Sequence, residues 1–403
     1  MKYVLVVGDG MADFPLEELN GKTPLEHLKL RFFDRVGGGK LGRLRSCPPT
    51  LPPGSDVAFL TLLGSDARGV YAGRSPLEAA GMGVMLQPGE VAFRMNLVAL
   101  GDGAEGLKML SHNGGGVEGA DALALVRAVT ADAEFQKIGA ERGLVVHETD
   151  TFRHIAVARG NAAEFSLKPP HDIAGQPIQG YLPAGTGGGW LRRLQEAAHH
   201  ALSSHPVNLK RATAGLLPAN SVWFWGAGEA CVLPDFTEAY GIKGSVISAV
   251  PLVKGIALLN RLKAPGVEGA TGLLDTNYEN KVAAALEALA AGDDFALVHI
   301  EAPDEMSHDG SLENKLEAIR RVDARVVGPL LEKLPVLGDF RMLLMPDHYT
   351  LLSTRTHDAT PVPFALYDSR TEASPRPFTE RACADEPVLE TGGQLMKLLF
   401  EME

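Results

Sequence analysis

Short apolar runs of strand length recur along this chain, each closed by a polar or glycine-rich turn. Residues 3–7 (YVLVV) lead into Gly8-Asp9-Gly10. Residues 295–300 (FALVHI) lead into Glu301-Ala302-Pro303-Asp304, and residues 341–345 (RMLLM) into Pro346-Asp347-His348. The runs are nearly continuous in apolar residues rather than alternating, the pattern of strands covered on both faces in a parallel sheet. Between them, residues 280–289 and 313–333 space their apolar positions three and four apart, which predicts helices. A further helix is expected over 57–63. Strands alternating with helices predict an α/β fold with a mainly parallel sheet flanked by helices.

The middle of the chain breaks this rhythm. Residues 92–218 hold Gly114-Gly115-Gly116, a helix-like stretch at 119–139 and alternating segments at 144–159. They also hold the loop Lys168-Pro169-Pro170-His171-Asp172 and a glycine-rich turn at 185–189. This reads as a smaller α+β domain inserted into a discontinuous main domain formed by 1–91 and 219–403.

Composition narrows the class. The 403 residues are 45% apolar and 22% charged, as in a folded globular protein too large for one core. Glycine is abundant at 45 residues without a collagen period, so tight turns and loops are expected. A net charge of −12 opposes a nucleic-acid partner, which would need a basic face. It does not oppose an anionic small substrate, since local cations can invert the field in a cleft. Cys47, Cys231 and Cys383 are scattered and odd in number, so neither a disulfide framework nor a cysteine zinc site is expected. No run of about 18 uncharged apolar residues and no signal-peptide pattern occurs, so a cytoplasmic protein without a membrane partner is expected.

Candidate chemistry gathers at the strand ends. Asp9, Asp304, His308, Asp347 and His348 follow the three apolar runs, and His357 lies nine residues beyond His348. In open parallel sheets, ligand sites form outside the carboxyl ends of the strands, so these groups are expected to converge. A single aspartate there is ordinarily a cap or turn residue. Three carboxylates with three imidazoles suit Mn²⁺ or Zn²⁺ better than Ca²⁺. Ser55, in Pro53-Gly54-Ser55-Asp56, begins a probable helix where backbone N–H groups could hold a phosphate; the alternative is an ordinary N-cap. No dinucleotide fingerprint and no P-loop is present.

Taken together, these motifs are familiar. VVGDGMAD (6–13), PPGSDVA (52–58), GRSPLEAAGMG (73–83), AFRMNLV (92–98), PPHDIAG (169–175) and PANSVWFWGAG (218–228) stand in order along the chain. VISAVPLVKGIA (246–257), GATGLLDTNYENK (269–281), APDEMSHDG (302–310) and MPDHYTLLSTRTHDATPVPF (345–364) continue the series. The sequence resembles the archaeal-type, cofactor-independent phosphoglycerate mutases of the alkaline phosphatase superfamily over nearly its whole length. The resemblance implies a two-metal phosphoryl-transfer site, with Asp304, His308 and His357 on one ion and Asp9, Asp347, His348 and Ser55 on the other. It favours Mn²⁺, with Mg²⁺, Co²⁺ or Zn²⁺ as alternatives, and no 2,3-bisphosphoglycerate. Ser55 would take the phosphate of 3-phosphoglycerate and return it to the 2-hydroxyl, while the inserted domain holds the glycerate away from water.

Arg153, with His171 and Asp172, is the expected anion-binding group of the insert, and Lys254 and Arg74 are further candidates. The chain departs from the family at Gly114-Gly115-Gly116-Val117, where relatives usually carry a histidine at the position of Gly116; His112 lies four residues earlier. The same superfamily group includes proposed homoserine kinases. A related phosphotransferase or phosphatase is therefore the alternative activity, and a non-catalytic metal-binding scaffold the alternative of another class. Assembly into homo-oligomers stays open.

Overall fold

In the computed structural model, which describes residues 1–104 and 106–402, the chain divides into two compact units. The first comprises Met1–Tyr71, Ala80–Met82 and the chain from Val232 onward. Its seven-stranded sheet runs Val388–Leu389, Lys40–Leu44, Val362–Asp368, Phe340–Met345, Lys2–Gly8, Phe295–Ile300, Gly244–Ile247. The last four in that order are mutually parallel, whereas Val362–Asp368 runs antiparallel to both of its neighbours. Every residue of Phe295–Ile300 and Phe340–Met345 is buried, which explains why these strands read as nearly continuous apolar runs.

Helices cover the sheet. Tyr278–Ala290 starts where the Asn277 side chain accepts the Asn280 N–H, and it buries Val282, Ala285 and Leu289 in the core. The expected single helix over 313–333 is three segments: Leu312–Arg321, a π-turn at Val322–Val327 and Gly328–Lys333. Pro329, second in the last segment, has no N–H for the carbonyl four residues back, and the looser turn sits immediately before it.

The second unit comprises Ala72–Ala79 and Gly83–Cys231. It is wider than the 92–218 expected from sequence. The reason is non-local pairing: the long strand Glu90–Gly103 runs antiparallel to Ser221–Glu229 through residues 91–98, and Ser75 Oγ donates to the Gly226 carbonyl at 2.5 Å. Arg153–Arg159 pairs along the other edge of Glu90–Gly103. Helices Gly119–Ala131, Ala133–Ala140 and Gly188–Ser203 pack on one face around Phe93, Trp190 and Phe224. The stretch 119–139 breaks at Asp132, which is extended and caps the second helix through the Phe135 N–H. The three cysteines are free and buried. Among the described residues, no helix is long and apolar enough to cross a membrane.

Candidate active site

Strand order in the first unit explains why distant aspartates meet. Lys2–Gly8 lies between Phe295–Ile300 and Phe340–Met345, all three parallel, with Gly8 beside Ile300 and Val7 beside Met345. The segments leaving their carboxyl ends carry Asp9, Asp304 and Asp347–His348 to one edge of the sheet. Asp304 and His308 fall one turn apart on the helix Ala302–His308. A small hairpin, Tyr349–Leu351 with Thr356–Asp358, sets His357 opposite Thr350.

Two groups result: Asp304 with His308 and His357, and Asp9 with Asp347 and His348. In each, the ligand-capable atoms lie within 4.8 Å of one another. Each carboxylate of the second group has one oxygen held by protein. Asp347 Oδ1 accepts the N–H groups of Gly10 (3.1 Å) and His348 (2.9 Å). Asp9 Oδ2 accepts from His299 Nε2 at 2.8 Å. Asp347 Oδ2 and Asp9 Oδ1 are buried without a hydrogen-bond partner. Buried carboxylate oxygens without donors are costly unless a cation meets them.

The histidines tell the same story. His308 Nδ1 is 2.9 Å from the Arg355 carbonyl and His357 Nδ1 is 3.3 Å from the Pro53 carbonyl, contacts that only a protonated nitrogen can make. Their Nε2 atoms therefore face each other, 3.0 Å apart, with lone pairs converging when both rings are neutral. A cation fits there, each imidazole being oriented through its far nitrogen. Without one, a proton takes its place: the hydrogen bond to Asp304 pushes His308 up to about 9. Burial alone would raise the Asp304 carboxyl, but its contacts with His308 and His357 hold it well below the usual carboxylate range. Burial and the neighbouring Asp347 and Asp304 charges raise Asp9 well above that range.

Ser55 is the first residue of the helix Ser55–Leu62, after Pro52-Pro53-Gly54. Its Oγ lies 3.1 Å from His348 Nε2 and 3.5 Å from Asp9 Oδ2, at the second group. Lys254, on the helix Pro251–Leu259, is close enough to Lys281 to help lower that amine to about 8, burial being the larger cause. Lys281 Nζ in turn donates to the His299 carbonyl at 3.2 Å.

The second unit holds a separate polar group. Register sets Arg94 opposite Trp225 and Asn96 opposite Arg153, on one face of the sheet. The Arg94 guanidinium lies 4.4 Å from the Trp225 ring centre, and Glu78 binds both Arg74 (2.8 Å) and Arg94 (3.0 Å). Burial opposes ionisation of Glu78, but Arg94, Arg74 and Arg153 together hold its carboxyl below the ordinary value. Three arginines around one carboxylate leave a local positive surplus in an acidic chain. His171 approaches Trp225 at 5.3 Å and His112 at 6.1 Å, so His112 does join this group. Both imidazoles are depressed, chiefly by burial. Asp172 is exposed and paired with Lys168 at 2.9 Å. Gly116 adopts φ +71, and a Cβ there would meet nothing within 4 Å.

Residues 37–208 match the family profile described as 2,3-bisphosphoglycerate-independent phosphoglycerate mutase. A relative from Geobacter sulfurreducens, named a probable 2,3-bisphosphoglycerate-independent phosphoglycerate mutase, is 42% identical over the full length of both chains. One from Methanosarcina acetivorans, bearing that name without qualification, is 43% identical over 93% of this chain and 92% of its own. The chain belongs to this mutase family. Among solved structures, a Pyrococcus horikoshii protein superposes with a TM-score of 0.76 at 27% identity, covering 99% of this chain and 97% of its own. The cofactor-independent phosphoglycerate mutase of Thermoplasma acidophilum gives 0.62 at 25% identity, covering 100% and 99%. As a member of the mutase family the chain is a metal-dependent isomerase, an intramolecular phosphotransferase.

Sequence reasoning overlooked several polar residues of this mutase. Arg94 and Asn96 stand inside the apolar segment AFRMNLV, and an arginine within a buried strand was itself a signal. His299, within FALVHI, passed as core. Thr350, two residues beyond His348, carries no signal of its own in the sequence.

Proposed function

We propose that this chain interconverts 3-phosphoglycerate and 2-phosphoglycerate through a phosphoserine at Ser55, without 2,3-bisphosphoglycerate. The observation that carries the reading is the position of Ser55 Oγ, at a helix start and against the Asp9, Asp347 and His348 group. Asp304, His308 and His357 would hold one divalent cation, and Asp9, Asp347 and His348 with Ser55 a second; the mixed oxygen and nitrogen donors suit Mn²⁺ or Zn²⁺, and the family resemblance favours Mn²⁺. Bound there, the cations supply charge stabilisation for the phosphoryl oxygens and favour the ionised serine hydroxyl.

The protein's own groups do the rest. Ser55 Oγ attacks phosphorus, the bond from phosphorus to the substrate's 3-oxygen breaks, and that oxygen takes up the proton the serine gives up, so that glycerate remains. The glycerate 2-oxygen then attacks the same phosphorus, and Ser55 Oγ leaves with the proton that the hydroxyl gives up. His299 holds Asp9, and the two backbone N–H groups hold Asp347, so neither carboxylate must reorient during the reaction. Arg74, Arg94 and Arg153 form the positive set that a glycerate carboxylate requires, with His112 and His171 as neutral hydrogen-bonding partners. Lys254 is a further candidate for the phosphate. Asp172, paired with Lys168, would orient that segment. A cytoplasmic setting belongs to the same reading, and the three buried free thiols fit a reducing compartment.

The test is to incubate purified chain with 3-phosphoglycerate, with and without Mn²⁺, in the absence of 2,3-bisphosphoglycerate. Phosphorus NMR should show 2-phosphoglycerate forming only with Mn²⁺ and little free phosphate. Release of phosphate alone, or transfer only when homoserine is added, would replace the mutase reading with a related phosphatase or phosphotransferase.

A further inference from the structure

The buried hydroxyl of Thr350 touches both ligand groups. It lies on the short strand Tyr349–Leu351 and is fully buried. Its Oγ1 is 2.6 Å from Asp304 Oδ1 and 3.1 Å from His348 Nδ1. A threonine hydroxyl has one proton to give, and an ionised carboxylate can only accept. The proton therefore goes to Asp304. The contact with His348 must then run the other way, from Nδ1–H to a lone pair of Oγ1. That fixes the neutral tautomer of His348 with Nε2 unprotonated, and Nε2 is the atom that faces Ser55 Oγ at 3.1 Å and Asp347 Oδ2 at 3.2 Å. One oxygen atom thus orients a carboxylate of the first group and prepares an imidazole of the second.

The surroundings are built around this hydroxyl. Lys315, buried to zero exposure, donates to the Thr350 carbonyl at 2.7 Å and to Asp13 Oδ2 at 2.8 Å, anchoring the strand from behind. Gly10 packs on the opposite side at φ +59. A Cβ there would collide with Thr350 Oγ1 and stand 2.7 Å from Asp304 Oδ1, so the bare Cα leaves room for the Thr350–Asp304 bond. An ordinary core threonine needs neither the two-sided contact nor the glycine.

We propose that Thr350 is a positioning residue that couples the two cation sites, its single hydroxyl holding Asp304 and His348 together in their cation-binding forms. The proposal rests on the two-cation reading above. Its test is Mn²⁺ titration of the metal-free full chain, comparing wild type with Thr350→Val and Thr350→Ser. Wild type should bind two Mn²⁺. Val, which keeps the shape and removes the hydroxyl, should weaken both binding steps by about 10–100-fold, and Ser should restore both. Weakening of one step only, no weakening, or a Ser variant as defective as Val overturns the coupling role. Wild type that binds fewer than two Mn²⁺ overturns the two-cation reading itself, a result that no Thr350 variant can mimic. Nitrogen NMR of the metal-free wild type gives a second measurement that needs no variant. It should find His348 neutral with its proton on Nδ1, and a proton on Nε2 instead would refute the assignment.

Discussion

Asp9 and Asp347 are buried carboxylates with one oxygen held by protein donors and the other left facing its neighbours. Glu380 is a half-buried acid of another kind. Its oxygens accept from the Thr23 hydroxyl at 2.5 Å and the Asp13 N–H at 3.2 Å, and burial pushes it up to about 7 against those hydrogen bonds. Because the folded chain holds this proton more tightly than the unfolded chain, whose glutamate titrates near 4.5, stability falls as pH rises through 4.5 to 7. Glu380→Gln removes that loss. Its melting temperature should match wild type near the acid end of the window and exceed it at pH 8, by a stability difference on the order of 2 kcal/mol. A difference that stays constant with pH would contradict the assignment. At this scale the sequence was legible where polar residues punctuate apolar runs, as Asp9, Asp304 and Asp347 do. It was silent where a polar residue sits inside such a run, because Thr350, His299 and Arg94 have side chains that a buried strand also accommodates.

Elements were legible where local chemistry decides them and less so where a distant partner does. Strand 295–300 and the helix around 280–289 follow from their own residues. The π-turn at Val322–Val327 does not, and its use is non-local. It carries Asp323, whose Oδ1 accepts the N–H groups of Phe32 (2.9 Å) and Phe33 (2.7 Å) at the start of the helix Arg31–Gly37. The helix's own N-cap, Leu30, has no side chain able to do this. Asp323 therefore caps a helix nearly 300 residues away in sequence. Asp323→Ala should lower stability by about 1–2 kcal/mol, read as a reduced denaturation midpoint at unchanged slope. An unchanged midpoint would mean that water satisfies these donors equally well.

At the scale of the whole molecule, the gathering of ligand groups at the carboxyl ends of parallel strands is what makes the metal-capable residues legible in the sequence. The order itself, with Lys2–Gly8 between two strands from the far end of the sequence, could not be read from local pattern. The same non-locality widened the second unit, since 72–79 joins it only through contacts such as Glu78 with Arg94 and Ser75 with Gly226. An acidic chain that concentrates six buried or half-buried carboxylates and imidazoles on one sheet edge should depend on divalent cations for stability as well as turnover. A chelator should abolish activity and lower the melting temperature, and Mn²⁺ should restore both; full activity in metal-free protein would end the two-cation account. The covalent step at Ser55 distinguishes this mechanism from direct transfer. Its most direct measurement is mass spectrometry of protein mixed with 3-phosphoglycerate and Mn²⁺ and quenched during turnover. One phosphoryl group should appear on the peptide containing Ser55 and be absent in Ser55→Ala, which should also lose isomerisation by orders of magnitude while retaining its fold. Isomerisation at the wild-type rate in Ser55→Ala would contradict the covalent step.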